Sequence, residues 1–175
     1  NLPRDIESLW PEIKEFNAEA ILIDYRLNEA KIPYKSFLDL FSGSGTIAIE
    51  AVSRGASQVE LCEKDKIKVN TVLENVSITE KDVGVKIKCH FMPVEYFIKR
   101  CKSSFDYIFF DPPFPYKYHA QLIEEADKNG LLNPTGTILV HRPEEHFIPD
   151  TIGNLTRTDQ REYGRSIVDF YTYSR

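Results

Sequence analysis

Phe37-Leu-Asp-Leu-Phe-Ser-Gly-Ser-Gly-Thr-Ile-Ala-Ile-Glu-Ala-Val-Ser-Arg-Gly55 is the stretch that decides the fold. Phe37, Leu38, Leu40 and Phe41 form a short apolar run, the pattern of a strand covered on both faces. Gly43 and Gly45 let the backbone turn sharply and leave room beside it for a ligand. Ile47, Ala48, Ala51 and Val52 then recur at helical spacing, and Gly55 stands where a C-terminal cap belongs. Backbone N–H groups at the start of that helix lack partners, so the loop is a natural site for a polar cofactor.

The glycine pattern is ambiguous by itself. Gly43-x-Gly45-x-x-Ala48 also satisfies the dinucleotide fingerprint, with Glu63 at a suitable distance to hold a ribose. A strand-to-helix turn without a ligand is the plainer reading. Asp39 weighs against it, because an acid within an apolar strand is costly to bury unless something pairs with it. An ammonium group on a cofactor, reached directly or through water, would do so.

Outward from this stretch, strands and helices alternate. Val59–Cys62 reads as a second strand with Glu63 at its end. Asp65 caps a helix over Lys66–Ile78, with Val69, Val72, Leu73 and Val76 as its buried stripe. Val85–Cys89 is a third strand, Val94–Cys101 a short helix and Phe105–Phe110 a fourth strand. Tyr118–Lys128 is helical, Thr135–His141 is a fifth strand, and Leu155–Arg161 with Ser166–Tyr173 form a terminal hairpin. This order predicts an α/β fold: a doubly wound, mainly parallel sheet of seven strands ending in an antiparallel hairpin. Residues 1–35 are expected to be a helical segment packed on the 36–175 domain, with Asp5 capping its first helix.

Composition sets the outer bounds. The chain has 175 residues, enough for one domain with a full core. No apolar run is long enough to span a membrane and no signal peptide is visible. Cys62, Cys89 and Cys101 are odd in number, as free thiols in a reducing cytoplasm would be. The first residue is Asn1 rather than Met, so a further N-terminal segment is expected. The net charge of −5 argues mildly against a nucleic-acid partner unless a basic patch or segment supplies local attraction. His90, His119, His141 and His146 show no metal-ligand spacing, and no metal is expected.

Asp111-Pro112-Pro113-Phe114 is the most specific feature. It follows a strand, on the rim where such sheets bind ligands. The prolines fix the backbone and donate nothing, but their carbonyls accept. An ionised Asp111 is acceptor-only. The set suits a planar group bearing an exocyclic amine: Phe114 stacks, while Asp111 and the Pro112 carbonyl take the N–H bonds. Read alone, a stiff loop with a solvated acid is the competing account.

Together these motifs resemble class I methyltransferases that use S-adenosyl-L-methionine and modify exocyclic amines of nucleobases. More narrowly, the chain resembles the bacterial family that methylates guanine N2 in small-subunit ribosomal RNA. The matching stretches are 38–46, 50–56, Glu63-Lys-Asp65, 106–114 and Tyr163-Gly164. The resemblance implies that Asp39, Phe41, Gly43 and Gly45 surround the methionine part of the cofactor and that Glu63 binds its ribose. Met92 stands near where relatives carry an acid beside the adenine. Asp111, Pro112 and Phe114 would hold the flipped base as the catalytic set. The implied partner is ribosomal RNA or a small-subunit particle, met by a cytoplasmic monomer. Two departures stand out: relatives often have an acid where this chain has His141, and their basic N-terminal hairpin is not recognisable here. Adenine-N6 methylation remains an alternative. So do an inactive cofactor-binding module, against which the intact 111–114 motif argues, and a nicotinamide-linked oxidoreductase, which would leave that motif unexplained.

Overall fold

The computed structural model describes residues 32–113 and 115–174. The helices expected within residues 1–31, and Phe114, lie outside the described residues. Strands β1 (Ser36–Asp39), β2 (Gln58–Cys62), β3 (Ile87–His90), β4 (Phe105–Phe110) and β5 (Leu132–Pro143) alternate with helices. Those helices are α1 (Thr46–Ser53), α2 (Val69–Val83), α3 (Val94–Arg100) and α4 (His119–Lys128). Three further strands follow: β6 (Thr151–Ile152), β7 (Leu155–Tyr163) and β8 (Ser166–Tyr173).

All pair into one eight-stranded sheet in the order β3-β2-β1-β4-β5-β8-β7-β6. β1 to β5 run parallel, and β8 joins β5 antiparallel to begin the terminal hairpin. The doubly wound expectation holds, with eight strands in place of seven. The added strand, β6, has only two residues, too few for alternation to show in the sequence.

Side-chain alternation along the strands builds two core layers. Phe37, Leu61, Phe109 and Leu139 pack with α1 and α2 residues such as Ala48, Val52 and Val72. Leu38, Leu40, Ile108, Phe110 and Val140 face the other way, onto Phe97, Ile98, Leu122 and Ile123 of α3 and α4. Burial on both faces explains why the strands read as apolar runs. Each fully buried Phe stabilises the fold by about 1.5–3 kcal/mol.

Helix ends follow local chemistry. α1 closes on a Schellman cap: Gly55, at φ 99°, donates its N–H to Val52 O and Ala56 donates to Ala51 O. Asp65 caps by accepting the Ile67 N–H at 3.0 Å, but the first turn it starts is 3₁₀, Lys66–Lys68, and the α-helix proper begins at Val69. α2 also continues to Val83, stopped by left-handed Gly84, because Thr79–Asp82 is polar yet tolerated on an exposed helix face. Of the expected stripe only Val72 and Val76 are buried; Leu73 is 46% exposed, one position off the inward face.

The chain runs outward through β2 and β3, then returns across β1 to begin β4. That reversal between β1 and β4 opens a crevice beyond their carboxyl ends, where open α/β sheets bind ligands. The Leu40 N–H donates to Phe109 O at 3.1 Å, so the loops leaving β1 and β4 start side by side.

Candidate active site

A cavity of about 440 Å³ fills this crevice, within the range of roughly 300–1,000 Å³ typical of small-molecule sites. Phe41, Gly43, Glu63 and Asp111, which the sequence reading assigned to the site, all line it. Asp65, Glu95, Pro113 and Tyr116, not among the residues so assigned, also line it. The glycine loop turns as expected. Gly43 and Gly45 hold φ of 58° and 87°, a region that side chains with a Cβ disfavour. A Cβ at Gly43 would meet nothing within 4 Å, so the backbone conformation, not crowding, selects glycine there.

Glu63 is 9% exposed and clamps the loop. Its Oε1 accepts the Gly43 N–H at 2.9 Å and its Oε2 accepts the Asp65 N–H at 2.6 Å. A carboxylate offers about four lone-pair sites, so each oxygen retains capacity for a second donor. One side chain thus shapes the loop after β1, orders the turn after β2 and faces the cavity.

Asp39, Gly45, Met92 and Pro112 stand off the cavity wall. Asp39 is fully buried at the end of β1, in register with Leu61 and Phe109, directly behind the glycine loop. Met92 offers its carbonyl to the Cys62 thiol at 3.2 Å. Burial pushes that thiol up to about 12, with Glu63 adding to the effect, so Cys62 stays a thiol on the cavity wall and is no nucleophile.

Asp111 directly follows β4, and His141 sits on β5. The two strands run in register through Phe110 and Val140, so Asp111 and His141 occupy the next rung. His141 Nδ1 lies 2.8 Å from Asp111 Oδ1. Because an ionised carboxylate only accepts, the imidazole nitrogen donates. Sequence reading noted His141 only as a departure from a pattern. The signal was present in the position of both residues at the carboxyl ends of neighbouring strands.

Aromatic rings extend from the cavity along the rim. Tyr116 meets Phe41 edge-on at 5.3 Å and His119 at 5.6 Å, and His119 lies 4.4 Å from His146. The Tyr116 hydroxyl donates to Glu95 at 3.1 Å across the mouth. Burial pushes the His119 imidazole down to about 4, with His146 and Arg142 acting in the same direction. Among the described residues, no group of three or more His, Cys, Asp or Glu side chains is arranged to hold a metal ion.

Two arginines of the antiparallel half turn inward onto one carboxylate. Arg157 turns inward: its Nε lies 2.9 Å from Asp169 Oδ1, and it also pairs with Asp150. Arg142 donates to Asp169 Oδ2 at 2.6 Å and to His146 O at 2.7 Å. Asp169 is fully buried between these two guanidinium groups and the Gln160 amide. Alternation in the hairpin could not show this, because the partners come from three strands. Arg161 lies on the surface, 3.6 Å from Asp159.

Known proteins resemble this chain in sequence and in fold. A Bacillus subtilis protein named "Putative rRNA methyltransferase YlbH" is 32% identical over 136 residues, which is 77% of this chain and 73% of that protein. "Ribosomal RNA small subunit methyltransferase D" of Haemophilus influenzae is 31% identical over 117 residues, 62% of this chain and 56% of that one. The chain therefore spans little more than half the length of the latter relative. A solved structure of a conserved hypothetical protein from Streptococcus pyogenes superposes with a TM-score of 0.79 at 28% identity, covering 87% of this chain and 94% of that one. The family described as Conserved hypothetical protein 95 matches residues 22–172. The chain belongs to that family.

Proposed function

We propose that this protein methylates the exocyclic N2 amine of a guanine in small-subunit ribosomal RNA, using S-adenosyl-L-methionine. The observation that carries the reading is the shared cavity: the Glu63-clamped glycine loop, Asp111 and Pro113 face one space from adjacent strand ends. The names of the relatives support ribosomal RNA as the substrate class.

The residues present fit such a cofactor. Left-handed glycines keep the loop thin beside the cavity, and Glu63 supplies acceptors for ribose hydroxyls. Asp39, Phe41, Gly43 and Gly45 would surround the amino-acid end, with Met92 on the adenine side. When bound, the cofactor supplies an electrophilic methyl group on a sulfonium.

The chain's own residues do the positioning. Asp111 accepts hydrogen bonds from the target base and turns the amine lone pair toward the donor; as the nitrogen gains the methyl and the sulfonium becomes a neutral thioether, the carboxylate is placed to take the proton the nitrogen sheds, and no covalent enzyme intermediate is needed. Guanine offers two adjacent donors, N1–H and the N2 amine, which a two-oxygen acceptor matches. Adenine offers an acceptor at N1 beside its N6 amine and matches it less well. The Pro112 carbonyl takes a further N–H, and Phe114 supplies the π-face that replaces the base's lost stacking. Incubating purified protein with methyl-labelled cofactor and small-subunit ribosomal RNA, then separating nucleosides, tests the reading. Label in N2-methylguanosine is expected; label in N6-methyladenosine, or none, overturns it.

A further inference from the structure

The Asp111–His141 pair carries more than the motif it belongs to. We infer that His141 is a positioning residue: its Nδ1–H fixes the Asp111 carboxylate in the orientation that receives the target amine. The inference rests on the function proposed above.

The geometry is specific. Nδ1 approaches Oδ1 at 2.8 Å, and the two side chains are 19% and 27% exposed. Partial burial strengthens such a charge-assisted bond and limits competition from water. The turn after β4 leaves the Asp111 rotamer to be set by its neighbours, since prolines 112 and 113 donate no hydrogen bonds. His141 supplies one such constraint, from the adjacent strand.

His141 is itself held rigidly. It lies in the β5–β8 ladder opposite Val168, and the next residue, Arg142, is locked by Asp169 and by His146 O. The buried ion cluster of the antiparallel half therefore braces the strand that carries His141. This gives the C-terminal hairpin a task at the site, although it contributes no wall to the cavity. The donor also divides the work of the carboxylate. Oδ1 spends one lone pair on His141, so a substrate donor meets a carboxylate whose plane is already defined.

Substitution separates positioning from packing. His141→Asn places an amide N–H near the position of Nδ1, whereas His141→Leu fills the space and donates nothing. Leu should lower single-turnover methylation on the order of 10-fold to 100-fold, the scale of a misplaced reacting group. Cofactor affinity and melting temperature should stay close to wild type, and Asn should recover most of the loss. In an Asp111→Asn background, removing His141 should cost little more, because the two act as one unit. Leu at wild-type turnover, Asn no better than Leu, or additive losses in the double variant would overturn the inference.

Nitrogen-15 NMR of the imidazole reads the pair without the reaction. Nδ1 should carry a proton at pH 8, and an unprotonated Nδ1 sinks the inference whatever the substrate. Methylation of adenine by the wild type would sink the guanine reading, while the NMR result still decides on the pair.

Discussion

Glu63 Oε1 accepts the backbone N–H of Gly43 at 2.9 Å, tying the end of β2 to the loop that leaves β1. The same carboxylate accepts the Asp65 N–H through Oε2. An acid at this position fastens the loop, and in the proposed function it also holds the cofactor's ribose. Glu63→Ala should weaken S-adenosyl-L-methionine binding by about one to two decades, the worth of charged hydrogen bonds of roughly 1.5–3 kcal/mol. It should also lower the melting temperature. Calorimetry and thermal unfolding on one preparation read both effects, and unchanged affinity would remove Glu63 from the cofactor site.

Asp169 lies buried between Arg142 and Arg157. Asp169→Ala leaves two guanidinium groups without their shared partner, and breaking such a buried pair costs about 3–5 kcal/mol. Urea unfolding should show the loss as a lower midpoint with an unchanged slope. Arg157→Met should likewise act on stability and leave the salt dependence of RNA binding alone. A changed salt slope in that variant would instead place Arg157 in contact with phosphates.

His119 predicts an acid-sensitive fold. Its imidazole is buried and pushed down to about 4, from an ordinary value near 6.5. Between those two values the unfolded chain binds the proton and the folded chain does not. Stability is therefore fully present above about pH 6.5 and falls as pH drops toward 4, by on the order of 3 kcal/mol for this group. The difference in urea midpoint between wild type and His119→Phe should change across that window. A constant difference from pH 7 to pH 4 contradicts the assignment.

Much of the parallel half was legible because its signals are local. The glycine pair, the α1 stripe and the cap at Gly55 lie within nineteen residues of one another. Phe105–Phe110 matched its strand residue for residue. What escaped was set by partners far along the chain. His141 reaches Asp111 across thirty positions, and Asp169 collects arginines from β5 and β7. Leu73 has the right residue type at nearly the right spacing, yet α2 turns it outward. Glu95 and Tyr116 meet only because α3 and the turn after β4 converge on one mouth.

Asp111→Asn tests the role of the carboxylate. The substitution keeps the shape but aims an amide donor at N1–H, at the amine or at His141. Turnover on guanine-containing RNA should fall on the order of 10²-fold. Binding of S-adenosyl-L-methionine should hardly change. A fully active Asn variant in single-turnover assays would mean that the amine is oriented by another group.

The central claim is that the methyl group goes to guanine N2 in small-subunit ribosomal RNA. Mass spectrometry of nucleosides from that RNA, purified from cells with and without this protein, tests it most directly. The account predicts that one N2-methylguanosine is lost when the protein is absent and regained when it is restored. Unchanged N2-methylguanosine, or loss of N6-methyladenosine in its place, would contradict it.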